Sequence, residues 1–144
     1  MVDLSSLSWE SFAENDVVQL GEGAAFRVLF ADSTDHSDPN ENSLVLRVDL
    51  GEASLLLTGD AESGERLPPS AEPGGAEAYL LEHHREDLDV DLLQVGHHGS
   101  MTSSRRAFLE AVSPTMALIG AGPFPYSSVT LPDEEVIEEL ELVL

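Results

Sequence analysis

Two segments of this sequence place polar side chains directly after an apolar strand. The first is the run LLLTGD, which ends at Asp60, and the second is the run LLQVGHHGS, which contains His97 and His98. Carboxylates and imidazoles bind divalent metals, and imidazole also transfers protons near neutral pH. Strand ends collect such groups in α/β proteins, because a rigid sheet fixes their direction. From the residues alone, a plain turn is the more common reason for Asp60 at this position, whereas for the histidines a structural and a functional role are equally open.

A third group of candidates follows the histidines. Hydroxyl side chains precede a predicted helix that carries two arginines in its first turn, namely Ser100, Thr102, Ser103, Ser104, Arg105 and Arg106. Free backbone N–H groups and the positive end of the helix dipole attract anions at such a position. The pattern predicts a phosphate-binding site. The alternative is that both arginines contact neighbouring carboxylates.

Apolar periodicity predicts the elements that would position these residues. Alternating or continuous apolar runs predict strands, and apolar residues at helical spacing predict helices. The predicted helix that carries the arginines begins at Ser103 or Ser104, either of which could cap it, and ends near Val112. The strands are expected at 17–20, 24–31, 43–50, 53–58, 92–95 and 116–121, and the other helices at 76–88 and 132–144. We expect one α/β layered domain over 15–144, after a lead-in at 1–14 that contains Trp9 and Phe12.

Composition narrows the possible classes of protein. The chain has 144 residues and a net charge of −22, its six basic residues are all arginine, and it has no cysteine. At 42% apolar residues it is too hydrophobic to be disordered. Any transition metal would be held by histidine and carboxylate. This acidic, lysine-free composition is typical of proteins from a salt-rich cytoplasm, so we expect a halophilic source.

Hydropathy predicts a soluble segment without membrane contact of its own. Its longest apolar runs are far shorter than the roughly 20 residues that span a bilayer. The first ten residues lack the basic and then apolar pattern of a signal peptide.

Several segments, taken in order, resemble the C-terminal part of the metallo-β-lactamase-like domain of ComEC-type competence proteins, which take up DNA. The segments that carry the resemblance are NENSLVLR at 40–47, LLLTGD at 55–60, DLLQVGHHGS at 91–100, and the residues Thr102, Ser103, Ser104, Phe108, Leu109 and Pro114.

The resemblance implies the C-terminal half of an αβ/βα sandwich, in which helices pack on a mixed sheet. It implies a two-metal site, usually zinc, in which Asp60 is a ligand. It also implies that His97 or His98 contacts substrate or acts as an acid in phosphodiester hydrolysis.

The chain also departs from the family pattern. It has no His-x-His-x-Asp-His cluster, and the segment 124–130 lacks the histidine expected there. A zinc site needs at least three protein ligands. We therefore expect no complete metal centre in this chain alone, and no catalysis by it alone.

Three interpretations remain. The chain could be half of a phosphodiesterase that a missing N-terminal half or a partner chain completes. It could be an inactive member that binds DNA, another phosphodiester or a protein. It could also be a structural remnant that dimerises to cover its open sheet. The missing terminal histidine favours the second over the first. The chain would be cytoplasmic if it stands alone, and at the extracytoplasmic face of the membrane in a ComEC-like parent.

Overall fold

Six strands form a single mixed sheet in chain order. A computed structural model describes residues 11–125 and 128–144, so the predictions that concern Trp9, Tyr126 and Ser127 lie outside it. The first four strands pair antiparallel, whereas the pairs β4–β5 and β5–β6 are parallel. The strands are β1 (Val17–Gly21), β2 (Ala24–Phe30), β3 (Val45–Leu50), β4 (Ala53–Leu57), β5 (Leu92–Gln94) and β6 (Met116–Leu118).

Three helices complete the described fold. They are α1 (Gly75–His83), α2 (Arg106–Val112) and α3 (Glu134–Val143). The predicted α/β class is confirmed, while the metallo-β-lactamase-like sandwich stays a prediction. None of the described helices is long and apolar enough to cross a membrane.

The core lies between the helices and one face of the sheet, which we call the helix face. Alternate residues of the central strands point to this face and share one cluster with buried side chains of all three helices, among them Leu56, Leu93, Leu80, Leu109 and Val136. Such burial stabilises a fold by roughly 25 cal/mol per Å² of apolar surface. Leu55 and Leu57 point the other way and stay partly exposed. A continuous apolar run such as 55–57 is typical of a strand buried on both faces, but here the described helices pack on one face only.

The last residues before the sheet are anchored to α1. Glu14 accepts hydrogen bonds from Tyr79 at 2.5 Å and from the ring of His84 at 2.8 Å. His84 is buried. These contacts begin within the segment that the sequence predicted as a lead-in.

Candidate groove at the carboxyl ends of the parallel strands

The carboxyl ends of β4 and β5 meet at one edge of the sheet and bring both strand-end motifs together. There, Asp60, Glu62, His97 and His98 line an open groove of about 590 Å³. The rest of the lining comes from the loop before β3 and the segments after β6 and before α3: Asp38, Pro39, Asn40, Gly120, Ala121, Gly122, Phe124 and Leu131. In this groove, Asp60 lies beside the histidine pair.

Both histidines occupy backbone conformations that residues other than glycine rarely adopt. Their φ angles are 42° for His97 and 57° for His98, in the left-handed region. Such conformations cost of order 1 kcal/mol each and persist where the surroundings hold them in place. Gly99 follows with φ 78°, where a Cβ would lie 2.6 Å from the Cβ of Pro132. The turn is therefore held tightly against the segment that leads into α3.

A network of hydroxyl groups holds this turn from behind. Ser103 donates to the carbonyls of Gly96 and Ser100, at 2.9 and 3.1 Å. The hydroxyl of Thr102 lies 3.0 Å from that of Ser100 and 2.9 Å from Nδ1 of His97. Ser100 and Ser103 are buried and do not line the groove. These residues position the histidines, and phosphate binding by them stays a prediction.

His97 forms a pair with Glu62. Its Nδ1 lies within hydrogen-bond distance of a carboxylate oxygen of Glu62. A carboxylate accepts hydrogen bonds, so Nδ1 carries the proton and Nε2 is the ring nitrogen that remains to act on a ligand. Carboxylate–imidazole pairs of this kind fix the tautomer and orientation of a histidine.

His98 is held through the same ring nitrogen as His97, but by a backbone carbonyl. Its Nδ1 donates to the carbonyl of Gly120 at 2.6 Å, since a carbonyl can only accept. Its Nε2 lies 3.4 Å from an oxygen of Asp60. The side chains of His98 and Asp60 are 50% and 43% exposed, so both can be reached by a ligand in the groove.

The donor set does not fit a metal centre by itself. Within 11–125 and 128–144, no group of three or more His, Asp or Glu side chains is arranged to hold a metal ion. Among the described residues, the only side chain within ion-pair distance of Asp60, the implied zinc ligand, is the ring of His98.

The helix N-terminus at which the sequence predicts a phosphate site already holds a carboxylate of the protein. The backbone N–H groups of Ser104 and Arg105 donate to the two oxygens of Glu77, which lies buried on α1. Burial raises the pKa of Glu77 to about 7, against the opposing effect of these N–H groups. The predicted side-chain cap by Ser103 or Ser104 is wrong, because Arg105 stands at the N-cap and Glu77 supplies the acceptors.

The two arginines also bond within the protein. Arg105 is 1% exposed, and its guanidinium donates to the backbone carbonyls of Glu65, Leu67 and Met101. Arg106 forms a two-bond pair with Glu139 of α3, at 2.6 and 2.7 Å. The structure thus favours the alternative in which the arginines contact protein groups. An external phosphate would have to displace these contacts.

Two acidic residues of this region, Glu62 and Glu77, were not predicted from the sequence. Glu62 lies two residues after Asp60, a spacing that could have marked it as a second acid of the strand end. Nothing in the sequence distinguishes Glu77 from the many other acidic residues of this chain, so its burial could not be predicted.

Together, these features define an α/β domain with a paired-histidine groove at the ends of parallel strands. No family model matches the chain. It is 33% identical over 114 residues to ComE operon protein 3 of Bacillus subtilis (strain 168), which covers 78% of the chain and 13% of that protein. It is 37% identical over 101 residues to competence protein ComA of Neisseria gonorrhoeae, covering 70% of the chain and 13% of that protein.

A third relative is recombination protein 2 of Haemophilus influenzae, 34% identical over 113 residues, with 75% of the chain and 13% of the relative covered. The chain thus spans a small part of each of these relatives. The resemblance to competence proteins is confirmed at this level. A metallo-β-lactamase-like identity stays a prediction.

Proposed function

We propose that this chain acts in DNA uptake as a ComEC-type domain whose groove contacts the phosphodiester backbone through His97 and His98. The observation that carries the proposal is the pair of histidines held in strained conformations at the groove, in a chain similar to named competence proteins. Each ring already donates from Nδ1 within the protein, so Nε2 donates to a phosphate oxygen when the imidazole binds a second proton.

The groove is lined by carboxylates, which lower the affinity expected for DNA. Asp38, Asp60 and Glu62 face the same space as the two imidazoles. The carboxylates repel a phosphodiester, so the isolated chain should bind it weakly and should not hydrolyse it. A positive complement would come from a cation or from another polypeptide.

The substitution Asp60→Asn tests this proposal. Removing one negative charge about 5 Å from a bound phosphate in water relieves about 0.8 kcal/mol, or roughly fourfold in affinity. We expect fluorescence anisotropy with a labelled single-stranded oligonucleotide to show that gain, at the lowest KCl concentration that keeps the protein folded.

The matched control is Glu52→Gln, which makes the same charge change in the turn between β3 and β4, at the opposite end of the sheet. Its affinity should stay at the wild-type value. Equal gains in both variants would point to net charge alone and would contradict a phosphate contact in the groove.

A second candidate function is a phosphodiesterase half that a partner completes. It is favoured by the exposed carboxylate of Asp60, which remains accessible to a shared ligand. In that case Asp60→Asn lowers the affinity, binding requires added Mn²⁺ or Zn²⁺, and the purified protein carries near-stoichiometric metal.

A further inference from the structure

The sheet has a second face that carries no charge in its central strands. The residues that point to this face, which we call the open sheet face, are paired across the strands from β2 to β5: Ala24, Phe26, Val28, Leu46, Val48, Leu50, Ala53, Leu55, Leu57, Leu92 and Gln94. Of these, Val28 is already buried. None of them belongs to the cluster beneath the helices. In the described part of the chain, the ring of Phe12 packs edge-on against Phe26 and covers one corner.

The charged residues of the strands all point to the helix face instead. Arg27 and Arg47 pair across β2 and β3, and Asp49 follows on the same side. Arg47 donates there to the carbonyls of Asp87 and Asp89. A sheet with one solvated face normally shows polar residues on that face. Here the pattern is reversed, which indicates that the open sheet face is built to be covered.

We propose that the occupant is a second copy of this chain, packed sheet on sheet. A chain of net charge −22 repels its own copy over most of its surface, and the uncharged face is where two copies can approach with the least repulsion. A copy also presents an equally apolar sheet of matching twist, which suits aligned packing at about 10 Å.

The area of the open sheet face determines how tightly two copies are expected to associate. The six strands of the sheet, about 4.8 Å apart and about 17 Å long, give a face of about 490 Å², within the range of functional apolar patches. Two copies would bury about 980 Å² in total, which is small for a stable interface. The dimer should therefore form at micromolar concentration, and it should tighten in KCl as the acidic surfaces are screened.

The test is sedimentation analysis of the full chain over a concentration series, in high KCl, for wild type, Leu50→Glu and Leu142→Glu. Leu50 is 62% exposed at the end of β3, so its replacement should leave the fold intact. Leu142, 75% exposed on α3, is the matched control. We expect a dimer for wild type and control, and an about tenfold or weaker association for Leu50→Glu, since a symmetric interface would enclose two unpaired carboxylates.

A second variant, Val48→Glu, places the charge at the centre of the face, with circular dichroism to verify folding. Its association should be weaker still. A wild-type chain that stays monomeric at hundreds of micromolar, or a dimer that Leu50→Glu and Leu142→Glu weaken equally, contradicts the proposal. The face would then serve another occupant, such as a sheet of a longer protein.

Discussion

Replacing Glu77 by alanine should lower the stability of this protein more than any other single acidic substitution that we consider. The change removes both acceptors for the buried N–H groups of Ser104 and Arg105 and leaves a space between α1 and α2. Each buried unsatisfied N–H costs about 1–3 kcal/mol, so we expect a loss of about 3 kcal/mol and a melting temperature about 10 °C lower.

Glu82→Ala is the control, because Glu82 lies on the same helix with its side chain 77% exposed. Thermal melts should place this variant within about 0.5 kcal/mol of wild type. A similarly small effect for Glu77→Ala would show that the N-terminus of α2 does not depend on this carboxylate and is open to another anion.

The carboxyl group of Glu77 also predicts an unusual dependence of stability on pH. Burial raises the pKa of Glu77 to about 7 in the folded protein, from 4.5. Between these values the folded state keeps a proton that the unfolded chain releases, so stability falls as the pH rises through this window, by about 3 kcal/mol. His36 acts in the same direction, since its hydrogen bond to Asp32 raises its pKa.

Below this pH window the dependence reverses, so that stability falls as the pH falls. The pKa of Glu14 is lowered, chiefly by its hydrogen bond from Tyr79, and that of Asp32 is lowered to about 2 by the Thr34 backbone N–H. Their contributions are lost in acid, so maximum stability should lie near pH 5. Glu77→Gln cannot titrate, and its deficit against wild type at pH 5.5 should shrink toward pH 8. A constant deficit would contradict the raised pKa.

Salt concentration should also have a large effect on the stability of this protein. Four of the six arginines form ion pairs in the described part of the chain, yet the net charge of −22 leaves most carboxylates without a cation. Raising the salt from 0.1 to 1 M shortens the screening length from about 10 to about 3 Å. We expect the melting temperature in KCl to rise by about 10 °C over this range.

The double variant Glu138→Gln/Glu141→Gln separates charge screening from other salt effects. Both residues are exposed on α3, where Glu134 and Glu138 are like charges one turn apart. The variant should melt higher than wild type at low KCl and lose its advantage at high KCl. A wild-type melting temperature that does not rise with KCl would contradict the halophilic prediction.

Most of the sheet could be predicted from the sequence, because period-2 alternation and Gly-containing turns are local signals. Strands 17–20, 24–31 and 53–58 each match an observed strand within one or two residues. Helix 132–144 matches α3 equally well. These elements depend on neighbours in sequence, which a single chain displays directly.

What could not be predicted depends on which residues meet across long separations. The motif at 100–106 predicts a site for an external anion. In the structure, the carboxylate of Glu77 on another helix is the anion at this position. Likewise, the run Leu55-Leu56-Leu57 cannot show by itself that helices cover only one of its sides. The proximity of Asp60 and His98 was predictable, since parallel strands end at a common edge.

Phosphodiesters should bind this chain in the groove at His97 and His98. Amide chemical shifts can be followed for this purpose in a titration with a dinucleotide phosphodiester. We predict changes at the groove amides of Asp60, His97, His98 and Gly120 through Gly122, which His98→Ala reduces. Changes centred instead on Ser104 to Arg106, or none at saturating dinucleotide, would contradict the claim.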